Sequence, residues 1–169
     1  MTDSTGPATL LQREPAHRVS PRAKTMWRTI EAITAVIALA AVIFVHTRDW
    51  IPSPWDTVLV VLVVVEALIT IPVAPWWRYR VHLWEVTQDA VYTQRGWLNQ
   101  ERRVAPISRI QTVDTGRGPI AQVFGLSSVT ITTASAKGEL RIDGLDRHEA
   151  DSLAEELTRI AAADGGDGT

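Results

Sequence analysis

Cysteine is absent from the 169-residue chain, which excludes disulfides, thiolate nucleophiles and sulfur-rich zinc or iron centres together. Histidine is sparse. His17, His46, His82 and His148 are scattered along the sequence, so no multi-histidine metal site is expected, and no cofactor. Neither sign of charge dominates: the formal net charge is −2, too little to set up the positive field that nucleic acid recruits. Nucleic acid is therefore not expected as a partner. No Ser-His-Asp set, carboxylate pair with a cleft signature, P-loop or dinucleotide fingerprint can be assembled from the residues present. The chain reads as a non-enzyme.

What is present is bunched. Apolar residues concentrate in two runs, "TIEAITAVIALAAVIFVHT" (29–47) and a second from Thr57 to about Pro75. Each is long enough to cross a bilayer core as a helix. The connection "RDWIPSPWD" carries two prolines and forces a hairpin. A soluble hairpin this apolar would need a large apolar shell, which the remaining chain cannot supply. The first run is too long for a signal peptide, and another span follows it directly. Arg13, Arg18, Arg22, Lys24 and Arg28 precede the first run, Arg48 alone lies in the loop, and Arg78 and Arg80 follow the second. Positive residues stay on the cytoplasmic side, so both termini are expected there, with the hairpin anchoring the C-terminal part at the inner membrane face. Trp27, Trp50, Trp55, Trp76 and Trp77 fall where amphipathic rings favour the interface.

Glu66 interrupts the second run. Counted from Thr57, it lies about 14 Å along a helix, close to the midplane of a core about 30 Å thick. An ionised carboxylate facing lipid there costs several kcal/mol, and neither span offers a cation at that depth. Glu66 is thus a candidate intramembrane interface residue, hydrogen-bonding a neighbouring subunit; a role in proton or ion movement is the sharper alternative.

The sequence divides into a basic tail over 1–26 expected to be disordered, a helical hairpin over 27–77, a domain over 78–163 and a short disordered tail from 164 to 169. Within the domain, "VHLWEVT" (81–87) and "AVYTQRG" (90–96) alternate around a tight turn. "WLNQERRVAP", "RIQTVDTG", "SVTITTA" and "GELRIDG" follow as further short strands. Six strands with close turn signals indicate a small antiparallel β-barrel or sandwich. A helix closes it: Asp146 with Glu149 forms a capping-box pattern, and Ala150, Leu153, Ala154, Leu157, Ile160 and Ala161 share one face.

Three stretches carry a family resemblance: "WRYRVHLWEVTQDAVYTQRGWL", "RIQTVDTGRGPIAQVFGLSSVTI" and "IDGLDRHEADSLAEEL". With the preceding hairpin they resemble the bacterial pleckstrin-homology (PH) domain family, in its membrane-anchored YdbS-like branch. The resemblance implies a two-helix transmembrane hairpin followed by a PH-like domain, a small antiparallel β-barrel capped by a C-terminal α-helix. It also implies ready oligomerisation, with itself or with another PH-domain membrane protein, and by association a place in envelope stress or resistance.

In eukaryotic relatives of that family, basic residues around the first hairpin hold phosphoinositides. Here that hairpin turns through "TQDA", with an acid and no lysine, and residues 78–169 hold 13 acids against 11 bases. The headgroup site is not carried over. Arg78, Arg80, Arg102, Arg103, Arg109 and Arg117 remain candidates for contact with a partner or with lipid headgroups. In "GRGPIAQVFGL" (116–126) one short helical turn is expected, with Ile120, Val123, Phe124 and Leu126 pinning the loop to the core. The function read from all this is a membrane-anchored interaction module; the alternative is a sensor of anionic lipid headgroups or another ligand.

Overall fold

The computed structural model describes residues 13–96, 99–134 and 138–166. Residues 1–12 of the expected N-terminal tail, the strand start at Trp97 and Leu98, the turn at Ser135–Lys137 and residues 167–169 lie outside them. The chain divides into two compact units: Lys24–Trp77, and the residues up to Ala23 together with those from Arg78 onward.

The first unit is built from α1 (Arg22–Thr47) and α2 (Trp55–Val81). At 1.5 Å per residue each is about 40 Å long, more than the roughly 30 Å of a bilayer core. Neither apolar stretch is buried by protein. Both helices outrun the apolar runs. α1 starts at Arg22 because Ser20 caps it, its hydroxyl accepting the Arg22 N–H at 3.3 Å and its carbonyl the Ala23 N–H at 3.0 Å. α2 passes through Pro72 and Pro75 instead of stopping near Pro75; prolines are tolerated inside apolar membrane helices that soluble helices would break at. At the loop end His46 Nδ1 meets Asp56 Oδ2 at 2.7 Å. Trp50 and Trp55 beside it are about two-thirds exposed.

The second unit consists of two antiparallel sheets and a helix. β1 (His17–Arg18), β2 (Leu83–Val86), β3 (Ala90–Gly96) and β4 (Gln100–Pro106) form one sheet in that order. β5 (Ile110–Gly116), β6 (Leu126–Thr133) and β7 (Leu140–Asp146) form the other. A one-turn 3₁₀ helix (Ile107–Arg109) makes the corner between β4 and β5, and α3 (Pro119–Val123) interrupts the β5–β6 connection. α4 (Arg147–Gly166) closes the domain, running into the tail expected to begin at 164.

The alternation that predicts the strands also sorts their side chains. Val91 lies opposite Val86 and Ala105, while Tyr92 lies opposite Glu85 and Val104, so these sets occupy opposite faces of the first sheet. Val91, Leu126, Val129, Ile131, Leu145, Ala150 and Leu157 are fully buried. The α4 stripe supplies Ala150, Leu153 and Leu157 to this core, as its helical spacing requires. Its first turn is capped by Glu149, whose carboxylate accepts the Asp146 N–H; burial nevertheless pushes the Glu149 carboxyl up from its ordinary value.

One expectation fails on backbone geometry. The segment before α1 is not a disordered tail through residue 26: residues 13–23 are folded into the domain. His17 pairs with Trp84 and Arg18 with Leu83, and the Ser20 N–H donates to the Gly144 carbonyl at 2.8 Å. Pro15, Val19, Ser20 and Ala23 are buried.

Candidate functional site

The feature with the most concentrated polar chemistry is the edge where this N-terminal segment meets β2. Glu85 sits in a strand whose other residues are apolar, and its side chain is 11% exposed. A carboxylate so placed needs donors. Three arrive from the segment: Arg13 Nη1 at 2.7 Å, Arg13 Nη2 at 2.5 Å and the Ala16 N–H at 3.0 Å. The forked guanidinium matches both carboxylate oxygens, and the Arg13 hydrogen bond holds the Glu85 carboxyl below its ordinary value.

The opposite strand completes the clasp. The Tyr92 hydroxyl donates to the Arg13 carbonyl at 2.6 Å. His17 lies against the Trp84 ring, with centroids 5.2 Å apart, and the Arg18 guanidinium lies 5.9 Å from the Tyr79 ring centroid. The outer edge of β2 is therefore occupied by the chain's own extended segment. Sequence reasoning missed this clasp, although a lone acid in "LWEV" was a signal that a cation had to come from elsewhere.

Beside it, His82 is buried at the start of β2. Its Nδ1–H donates to the Arg78 carbonyl at 2.7 Å, and desolvation drives its pKa down to about 4, so the ring is neutral near pH 7. His82, Gln94, Arg141 and Asp143 line a crevice of about 10 Å³. That admits one water and falls far short of the ~300 Å³ of a small ligand pocket. Among the described residues Gln94 Oε1 has no hydrogen-bond partner.

The six candidate arginines are distributed over separate elements. Arg78 and Arg80 end α2; Arg102 and Arg103 are adjacent on β4 and so point to opposite faces. Arg103 and Arg95 both grip Glu101, at 2.5 and 3.1 Å, and lower its pKa, the Arg103 hydrogen bond most. Arg109 is exposed in the 3₁₀ corner, and Arg117 lies 3.6 Å from Asp151. Arg103 and Arg117 are thus already matched by acids. Glu66 is exposed on α2, and among the described residues it makes no hydrogen bond or ion pair.

The β5–β6 connection corrects a second expectation. α3 forms the single helical turn read from the sequence, and Leu126 is fully buried. Val123, however, is 82% exposed and Ile120 38%. None of the five residues of this helix is buried, and Ala121 together with the C-cap Phe124 is only half-buried.

The family model for the bacterial PH domain matches residues 29–161, most of the chain and both units of the structure. The chain belongs to the bacterial PH domain family. It is also 29% identical over 158 residues to the UPF0699 transmembrane protein YdbS of Bacillus subtilis (strain 168), an alignment covering 89% of this chain and 96% of that protein. No solved structure gives a significant match. A bacterial PH domain behind two helices of membrane-spanning length is what the resemblance implied.

Proposed function

We propose that this chain is a membrane-anchored interaction module. Its two helices span the inner membrane, both termini lie in the cytoplasm, and the PH domain is presented at the cytoplasmic face as a subunit of a homo- or hetero-oligomeric complex. The observation that carries this is Glu66, exposed near the middle of α2 without a partner among the described residues. A carboxyl in hydrocarbon is tolerated when another helix hydrogen-bonds it, and interfaces of this kind mark function. An open apolar groove of about 400 Å³ along α1, lined in part by Ile33 and Val36, includes Thr29 and Ala32, small residues of the kind that let a second helix approach closely.

A module of this kind docks its partner through main-chain pairing at a free strand edge or through a loop surface. The β2 edge is taken by residues 13–20. β5 pairs only with β6 among the described strands, and its Gln111, Thr112, Asp114 and Thr115 are exposed. Copurification from native membranes after mild solubilisation tests the proposal. A complex heavier than one chain, containing further copies or a second PH-domain membrane protein, is expected; a lone monomer at every detergent concentration would refute it.

A further inference from the structure

We infer that α3 is a lipid-contacting knob, its Ile120 and Val123 side chains entering the headgroup region of the bilayer that holds the chain. This goes beyond the oligomer reading and rests only on membrane anchoring.

The domain is tethered to the helices at two points, Arg22–Ala23 and Arg78. Arg22 is seven residues before the apolar run that begins at 29, which is about 10 Å of helix. Arg78 is three residues beyond Pro75. The site of both attachments on the domain is defined by its own contacts. Ser20 bonds the Gly144 carbonyl, and His82 and Val19 share a crevice with Asp143. Arg22 Nη1 bonds Asp146 Oδ1 at 3.0 Å. Both tethers therefore meet the C-terminal half of β7, within about 10 Å of strand.

α3 ends at the same place. Gly125 has φ +67°, and a Cβ there would lie 3.5 Å from Arg22 Nη1; its carbonyl accepts the Arg147 N–H at 3.2 Å. Among the described residues of the domain the most exposed large apolar side chain, Val123, thus lies two residues from Gly125, which is beside Arg22. Exposed valine and isoleucine in water gain nothing, whereas at a bilayer interface they lose apolar surface to lipid.

The charges around the knob suit that position. Arg22 pairs with Asp146, while Arg117 and Arg147 share Asp151 at 3.6 and 3.8 Å. Three guanidiniums against two carboxylates leave one positive charge, and long arginine stems reach phosphate while their apolar parts stay in the interface. The candidate Arg117 belongs to this surface.

The absence of cysteine makes the test direct. Full-length V123C, labelled with an environment-sensitive fluorophore, is reconstituted into phosphatidylcholine–phosphatidylglycerol vesicles, and flotation with the vesicles establishes anchoring first. S108C serves as control: Ser108 is exposed in the 3₁₀ corner at the opposite end of β5 from Gly116, roughly 20 Å away by the rise of that strand. A blue shift with quenching by spin-labelled lipid at 123 and not at 108, lost when Ile120→Asp is added, is the expected result. Equal iodide quenching at both sites would overturn the inference. So would a blue shift at 123 without lipid quenching, because that means protein covers the knob.

Discussion

Glu85 and Arg13 are 72 residues apart in sequence, on opposite sides of the membrane hairpin, yet form a two-pronged ion pair at 2.7 and 2.5 Å. This pair closes the fold on itself, since the segment that leads into α1 becomes the edge strand of the sheet that follows α2.

Removing the acceptor leaves the donors of the N-terminal segment without their partner. Glu85→Ala leaves the Ala16 N–H and the Arg13 guanidinium without their acceptor, and because both donors reach solvent the effect should be loosening of the segment, not loss of the whole domain. Hydrogen exchange at residues 16–20 should quicken well before exchange in β3. The pH dependence has a definite sign. Arg13 depresses the Glu85 pKa, so the stabilisation is present above the ordinary carboxylate range and is lost as pH falls through the depressed value. Unchanged protection in Glu85→Ala would mean that pairing to β2 alone holds the segment.

His82 gives a second pH effect in a different window. Its folded pKa of about 4 lies below the ordinary histidine value of 6.5. A depressed histidine contributes stability that is full above 6.5 and is lost as pH falls toward 4, by about 3 kcal/mol at most. Thermal unfolding of the full chain should show that loss between pH 6.5 and 4, and His82→Gln should flatten it.

Leu157 tests how the domain is closed. It is fully buried on α4, and Leu157→Ala should cost about 2–5 kcal/mol, read as a lowered unfolding midpoint with both helices of the hairpin retained.

The legible parts of the sequence were those with a strong local period. Two apolar runs gave the membrane-length helices, period-two segments gave six strands, and the Asp146–Glu149 spacing gave the start of α4. The N-terminal strand was not legible because its two residues, His17 and Arg18, have no alternation to read, and their pairing is fixed by Glu85 far along the chain. The Ile120 and Val123 exposure was hidden for the opposite reason: apolar residues in a loop look like core anchors until the backbone shows which way a single helical turn faces. The arginines could be counted, but which acids would match them depended on tertiary placement, as Asp151 shows for Arg117.

Assembly in the membrane is the central claim, and Glu66 is the residue that bears on it most directly. Single-molecule subunit counting in lipid nanodiscs, comparing the natural chain with Glu66→Leu, measures it. The natural chain should count as more than one subunit, and Glu66→Leu should shift toward one while residues 16–20 keep their exchange protection. A natural chain that counts as a single subunit, alone and without a second protein, would contradict the claim.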